Sequence, residues 1–115
     1  MSLYMYQFKY TPVAWAAFAK KPEDRRAVVD ELLRKLGGKL VCAYYTFGEW
    51  DGLVIYEAPD EITAMAAIVT IITPGHIEAT KTTVLFTMDD AIKAMNMAGA
   101  LEFRGIEHLP SSWPA

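Results

Sequence analysis

Hydrophobic and polar positions alternate over Tyr4–Met5–Tyr6–Gln7–Phe8–Lys9–Tyr10, with four aromatics on one side and Met5, Gln7 and Lys9 on the other. A period of two is that of a strand whose faces meet different surroundings. Thr11–Pro12 reads as an N-cap followed by proline at the first helical position. It predicts a short helix over 13–19 carrying Trp15 and Phe18 on one side. Past Lys20–Lys21–Pro22 the period changes: Val29, Leu32, Leu33 and Leu36 recur at helical spacing and predict a longer helix over 22–36. Asp30/Arg34 and Glu31/Lys35 are acid-then-base pairs on its outer side, and Gly37–Gly38 supplies its stop.

Two apolar runs follow, Leu40–Tyr45 and Leu53–Tyr56, rich in β-branched and aromatic residues and so read as strands. The stretch Thr46–Phe47–Gly48–Glu49–Trp50–Asp51–Gly52 joins them. Its two glycines permit a positive φ or a close backbone approach, which predicts a tight hairpin. Asp60 is placed to cap a helix over 61–73, where Ile62, Met65, Ile68, Val69, Ile71 and Ile72 leave almost no polar side. Such a helix is expected to be covered on more than one side. Pro74–Gly75 ends it, and a last strand is predicted over 76–86. Thr87–Met88–Asp89–Asp90 resembles a capping box and opens a third helix with Met88, Ile92 and Met95 aligned. The irregular tail beyond Gly99 still holds Leu101, Phe103, Ile106, Leu109 and Trp113, so it is expected to dock on a partner subunit.

The order β-α-β-β-α-β with an added helix and tail predicts an α+β fold, a ferredoxin-like antiparallel sheet over residues 4–97 with a tail over 98–115. Both sheet faces carry large apolar side chains: Tyr4, Tyr6 and Phe8 against Met5, and Cys42 and Tyr44 against Val41, Tyr45 and Phe47. Two helices cover one face of such a sheet. The other is expected to meet a second copy, sheet to sheet, because buried apolar area is worth about 25 cal/mol per Å².

Composition narrows the function classes. The 115 residues make one domain, 53% hydrophobic and 22% charged. A net charge of −3, from 11 basic against 14 acidic residues, argues against a nucleic-acid partner. The single cysteine, Cys42, excludes an internal disulfide and sits mid-strand as a small hydrophobe. With no leader pattern and no apolar run long enough to span a bilayer, the expectation is a cytoplasmic protein with no membrane partner. Histidines and acids show no metal-ligand spacing, and Gly37–Gly38 is no phosphate loop, so no metal or cofactor is expected.

Candidate chemistry gathers at the hairpin. Asp51 beside an indole is placed to act as a general base or to bond its own turn amides. Glu49 offers the same function or simply faces water. His76, after Pro74–Gly75, is a candidate acid–base group or a surface loop histidine. Lys81 interrupts an uncharged run, to bind an anion or to guard a sheet edge, and Lys9 has similar standing. Tyr6, Tyr44, Tyr45, Trp15 and Trp50 are candidate walls of an aromatic pocket, or core.

Gly48–Glu49–Trp50–Asp51 resembles the Gly-x-Tyr-Asp signature of the GYD domain family, with Trp50 in place of the tyrosine. Tyr10–Thr11–Pro12, Pro22…Arg25, Leu36–Gly37–Gly38, Glu57–Ala58–Pro59–Asp60 and Lys81–Thr82–Thr83, ending in Thr87, stand in register with it over residues 5–97. The resemblance implies a dimeric α/β-barrel domain, of a superfamily that holds small oxygenases, isomerases, dehalogenase-like and decarboxylating enzymes. Trp50 removes a phenol, so no function that needs that hydroxyl carries over. The expected function is therefore binding of a small aromatic or anionic organic molecule between sheet and helices. It extends to cofactor-independent catalysis with Asp51 as base; the alternative is a non-catalytic ligand-binding or structural oligomerisation module in which the Gly48–Asp51 hairpin is structural.

Overall fold

The computed structural model of the chain describes residues 1–108, and contacts divide the chain into two compact units, Met1–Leu85 and Phe86–Ala115. The first unit runs β1 (Ser2–Tyr10), α1 (Pro12–Lys20), α2 (Arg26–Lys35), β2 (Lys39–Tyr45), β3 (Gly52–Ala58), α3 (Glu61–Ile72) and β4 (Ile77–Leu85). Its four strands form an antiparallel sheet in the order β2-β3-β1-β4. Neighbours β1 and β3 are reached through two helical crossovers, which is the ferredoxin-like arrangement.

Register decides which side chains the helices cover. Tyr4 opposes Tyr56, Tyr6 opposes Val54 and Phe8 opposes Gly52, and all six are buried. Leu3, Met5, Gln7 and Lys9 point to the other face, with Leu53 and Ile55 beside them, and are half-buried. The alternation in the sequence is thus the division of the sheet into a helix-covered face and an open one.

The helices begin and end where local chemistry dictates. The Thr11 hydroxyl accepts from the Ala14 N–H at 3.2 Å with Pro12 next to it, so α1 starts as its sequence predicts. Helix α2 starts at Arg26 rather than at Pro22. Asp24 turns the chain first, its carboxylate accepting from the Arg26 N–H at 3.0 Å and from the Arg26 guanidinium at 2.6 Å. At its end the Gly38 N–H donates to the Leu33 carbonyl and the Gly37 N–H to Arg34, with Gly37 at φ 81°. That is a Schellman stop, and the positive φ is why glycine stands there.

Helix α3 is capped by Asp60, which accepts from the Thr63 N–H at 2.8 Å. It lays Ala64 and Ala67 on the sheet, flanked by half-buried Ile68 and Ile71. Its opposite stripe of Ile62, Met65, Val69 and Ile72 is exposed. The second unit opens with α4 (Met88–Gly99), whose cap is the Thr87 hydroxyl accepting from the Asp90 N–H at 3.1 Å. Leu109 and Trp113 of the tail lie outside the described residues.

Candidate functional site

Tyr6, Phe8 and Tyr10 of β1 with Val54 and Tyr56 of β3 lie at the floor of a cavity, and residues of α1, α2 and α3 line it from the other side. It measures about 1190 Å³, and Tyr6, Phe8, Tyr10, Phe18, Val54 and Tyr56 are among its lining. The rings make a continuous aromatic path. Tyr6 stacks on Phe8 at 5.6 Å between centroids, and Phe8 meets Tyr10 edge-on at 5.1 Å. Tyr10 meets Trp15 at 5.3 Å and Phe18 at 5.1 Å, and Trp15 lies 6.1 Å from Tyr45. Such offset and edge-to-face pairs suit the quadrupoles of the rings.

Two polar features stand out in this apolar space. Tyr6 and Tyr56 are 2% and 1% exposed, and neither hydroxyl has a hydrogen-bond partner among the described residues. Tyr4, stacked on Tyr56 at 5.4 Å, shares that lack but lies off the lining. A buried hydroxyl without a partner costs about 1–3 kcal/mol. Burial also pushes the Tyr56 phenol up to about 12, the Tyr4 phenol adding to it, and raises Tyr6 for the same reasons, with Tyr56 as its neighbour. Tyr10 is raised by burial first and by the adjacent Tyr45 phenol second. Tyr6, Tyr10 and Tyr56 are therefore neutral O–H donors at neutral pH.

Charge at the rim is paired. Arg25 bonds Glu23 at 2.8 Å, Arg26 bonds Asp24 at 2.6 Å and Lys35 meets Glu31 at 3.4 Å, all six being lining residues. The Arg26 guanidinium holds the Asp24 carboxyl down at about 2.

Asp51 sits beside the cavity rather than on its lining. Its Oδ2 accepts from the Tyr10 backbone N–H at 2.9 Å and from the Trp15 indole N–H at 3.1 Å. The Asp51 N–H in turn donates to the Phe8 carbonyl at 2.9 Å. The carboxylate thus joins the hairpin to the end of β1 and to α1, and its bonds go to those elements rather than to its own turn amides. Thr46 closes the loop, its N–H donating to the Asp51 carbonyl and its hydroxyl to the Trp50 carbonyl. Neither hairpin glycine has a positive φ. Gly52 answers to close approach instead: a Cβ there would run into the Phe8 ring.

The sequence candidates separate into groups. Tyr6 and His76 lie on the cavity lining with Tyr44, and Trp15 backs it through Tyr10. His76 is exposed, and its carbonyl accepts from the Thr11 N–H at 3.0 Å. Lys9 and Lys81 follow the register of the open face, Lys81 opposite Gln7 and Lys9 opposite Ala79, away from Tyr6 and Phe8. Glu49 is exposed in the hairpin and Trp50 half-buried, both off the lining. Sequence reasoning did not single out Tyr56, Tyr10 and Arg25 as site residues. Tyr10 belongs to the same alternation as Tyr6, and Tyr56 becomes visible once β1 and β3 are paired. Arg25 gives no local signal. Among the described residues no three His, Cys, Asp or Glu side chains gather to hold a metal, and no helix is long and apolar enough to cross a membrane.

Comparison with known proteins agrees with this architecture. The family model of the GYD domain matches residues 4–95. Among solved structures, MtbAldR superposes with a TM-score of 0.55 at 14% identity, over 75% of this chain and 53% of that one. The chain therefore spans about half the length of MtbAldR. FFRP-DM1 gives 0.49 at 21% identity, over 75% of this chain and 100% of its own. A protein from Thermus thermophilus gives 0.49 at 15%, over 76% and 95%. No curated protein matches.

Proposed function

The chain belongs to the GYD domain family, and from that premise we propose that it is a homodimeric, cytoplasmic domain that binds a small aromatic organic molecule between sheet and helices. One observation carries the reading: an aromatic-walled cavity of about 1190 Å³ with Tyr6, Phe8, Tyr10 and Phe18 on its lining. A concave, mostly apolar site is the usual form of a ligand pocket. The dimer is supported by the sheet face opposite the buried core of the first unit, where Met5, Leu53 and Ile55 stand side by side and half-buried. Catalysis with Asp51 as general base stands behind binding, because that carboxylate lies off the lining and its Oδ2 already serves two donors.

Native mass spectrometry on protein purified gently from its expression host tests both parts. The expected result is an even-numbered oligomer carrying a reproducible extra small-molecule mass. A bare monomer that takes up no added naphthyl compound rejects the proposal.

A further inference from the structure

We infer that the outer side of α3 is a seat for α4 of a second copy of this chain, exchanged reciprocally about a two-fold axis. The seat is separate from the sheet-to-sheet contact, because α3 lays Ala64 and Ala67 on the sheet and carries this apolar stripe on its opposite side.

The two stripes share one spacing. On α3 it is Ile62, Met65, Val69 and Ile72, in steps of three, four and three. On α4 it is Met88, Ile92 and Met95, in steps of four and three, and a further step of four reaches Gly99, where a neighbour meets no side chain. This alternation of three and four is the one by which two helices mesh along a common seam, crossing at about 20°. Both helices have 12 residues, so the stripes match from end to end. Glu61 stands in the first turn of α3 and Asp89 and Asp90 in the first turn of α4, and neither helix has a basic residue in its last turn. An antiparallel seam keeps these acids at opposite ends. It sets Met65 against Met95, Val69 against Ile92 and Ile72 against Met88.

Exposure and area say what covers them. All seven side chains are between 39% and 83% exposed in the single chain, and α4 buries no residue. A helix of that length which buries nothing is marginal in water, so its cover has to come from outside the chain. A large apolar side chain brings about 100 Å² into such a seam. Two α3 stripes face to face would bury about 800 Å² and two α4 stripes about 600 Å², short of the roughly 1,200 Å² of a stable specific interface. Exchange of α4 for α3 makes two seams of seven side chains each, about 1,400 Å², and reaches that size. It also closes on itself, since each copy gives and receives the same element. Leu101, Phe103 and Ile106, exposed as well, follow α4 in the chain and add to what it brings.

Opposite charges at one paired position test the seam and its occupant together. Met65→Glu and Met95→Lys each put a charge into the seam at a position exposed in the single chain, so circular dichroism should show an unchanged fold. Each variant alone is expected to associate about a hundredfold more weakly in sedimentation velocity, and an equimolar mixture of the two to recover the assembly of the unaltered protein. Mixing brings the two introduced charges together only across chains. Unchanged association of the single variants overturns the seat. Recovery when one chain carries both substitutions, with none on mixing, overturns the second copy as occupant in favour of the chain's own α4. Both substitutions leave the open sheet face as it is, so this seat and the sheet-to-sheet dimer stand or fall separately. Hydroxyl-radical footprinting of the unaltered protein needs no variant. Met65 and Met95 are expected to be protected where the protein associates, while Met97, on α4 but off its stripe, is oxidised. Oxidation of all three at the same rate overturns the exchange.

Discussion

The two faces of the one sheet make different use of the same apolar material. On the helix-covered face, Tyr4, Tyr6, Phe8, Val54 and Tyr56 are buried under α1, α2 and α3, with small Ala64 and Ala67 letting α3 come close. On the open face, Met5, Leu53 and Ile55 stand in neighbouring register yet stay half-exposed. The covered face also borders a cavity, so its packing leaves room on that side. The opposite face sets Met5, Leu53 and Ile55 beside Gln7, Lys9 and Lys81, away from the residues that the helices of the first unit bury. The difference suggests a division of labour: one face for a ligand and for monomer stability, the other for assembly.

The largest test of that division strikes the covered face where α2 meets the sheet. Leu33 is the one buried residue of α2, 2% exposed. Leu33→Ala is expected to cost about 3 kcal/mol, the transfer of the lost side chain plus the space it leaves. Urea unfolding measures it. A cost under about 1 kcal/mol would mean that α2 is not anchored to the sheet as described.

Next comes the fastening between hairpin and helix. Asp51→Ala leaves the Tyr10 N–H and the Trp15 indole N–H without their shared acceptor. An expected loss of about 2 kcal/mol follows from one charge-assisted acceptor serving two donors, one of them part-buried. Trp15 emission should shift in the folded protein as the indole is released. Unchanged stability with an unchanged emission spectrum would remove the fastening role, and the general-base reading would regain ground.

A smaller effect is set by pH. Tyr56 has its folded pKa raised from 10 to about 12, and Tyr6 and Tyr10 are raised as well. A raised folded pKa contributes stability in full below the unfolded value and loses it as pH climbs through the folded one. Stability should therefore fall between about pH 10 and 12, and Tyr56→Phe should flatten that fall, followed by circular dichroism in urea. An unaltered alkaline slope in the variant would place Tyr56 in water rather than in the covered face. At the acid end the carboxyls of half-buried Asp30 and exposed Asp60 are lowered, by Arg34 and by the Thr63 N–H respectively, so their contributions fade below the ordinary carboxylate pKa.

Much of this contrast was legible before any coordinates. Period-two alternation in β1 separates the two faces, and Thr11–Pro12, Asp60 and Thr87 mark helix starts because capping is a contact within four residues. The start of α2 was misplaced by four residues, since Asp24 spends its carboxylate on Arg26 in a turn that periodicity does not register. The site was harder to read for a physical reason. Asp51 finds its partners at Tyr10 and Trp15, 41 and 36 positions away, and sequence spacing offers only its own turn. Tyr6 was visible as an aromatic on a face, but its lack of a hydrogen-bond partner is a property of the packed interior alone.

The sharpest test of the comparison has the least effect on the monomer. Ile55 lies between Met5 of β1 and Cys42 of β2 in the middle of the open face. Ile55→Gln replaces an apolar end with an amide at a half-buried position, so the fold of a single chain should lose no more than about 1 kcal/mol. If the open face is where a second copy sits, the same change places two amides at the centre of the interface. Dimer dissociation should then rise by about a hundredfold, read by sedimentation velocity across a dilution series. A cost near that of Leu33→Ala with no change in assembly would instead mean that the chain covers Ile55 itself, and the two faces would no longer differ in kind. An unaltered protein that sediments as a monomer at every concentration would leave the open face a solvated surface. The division of labour would then fail at its second half while the cavity beneath the helices stood untouched.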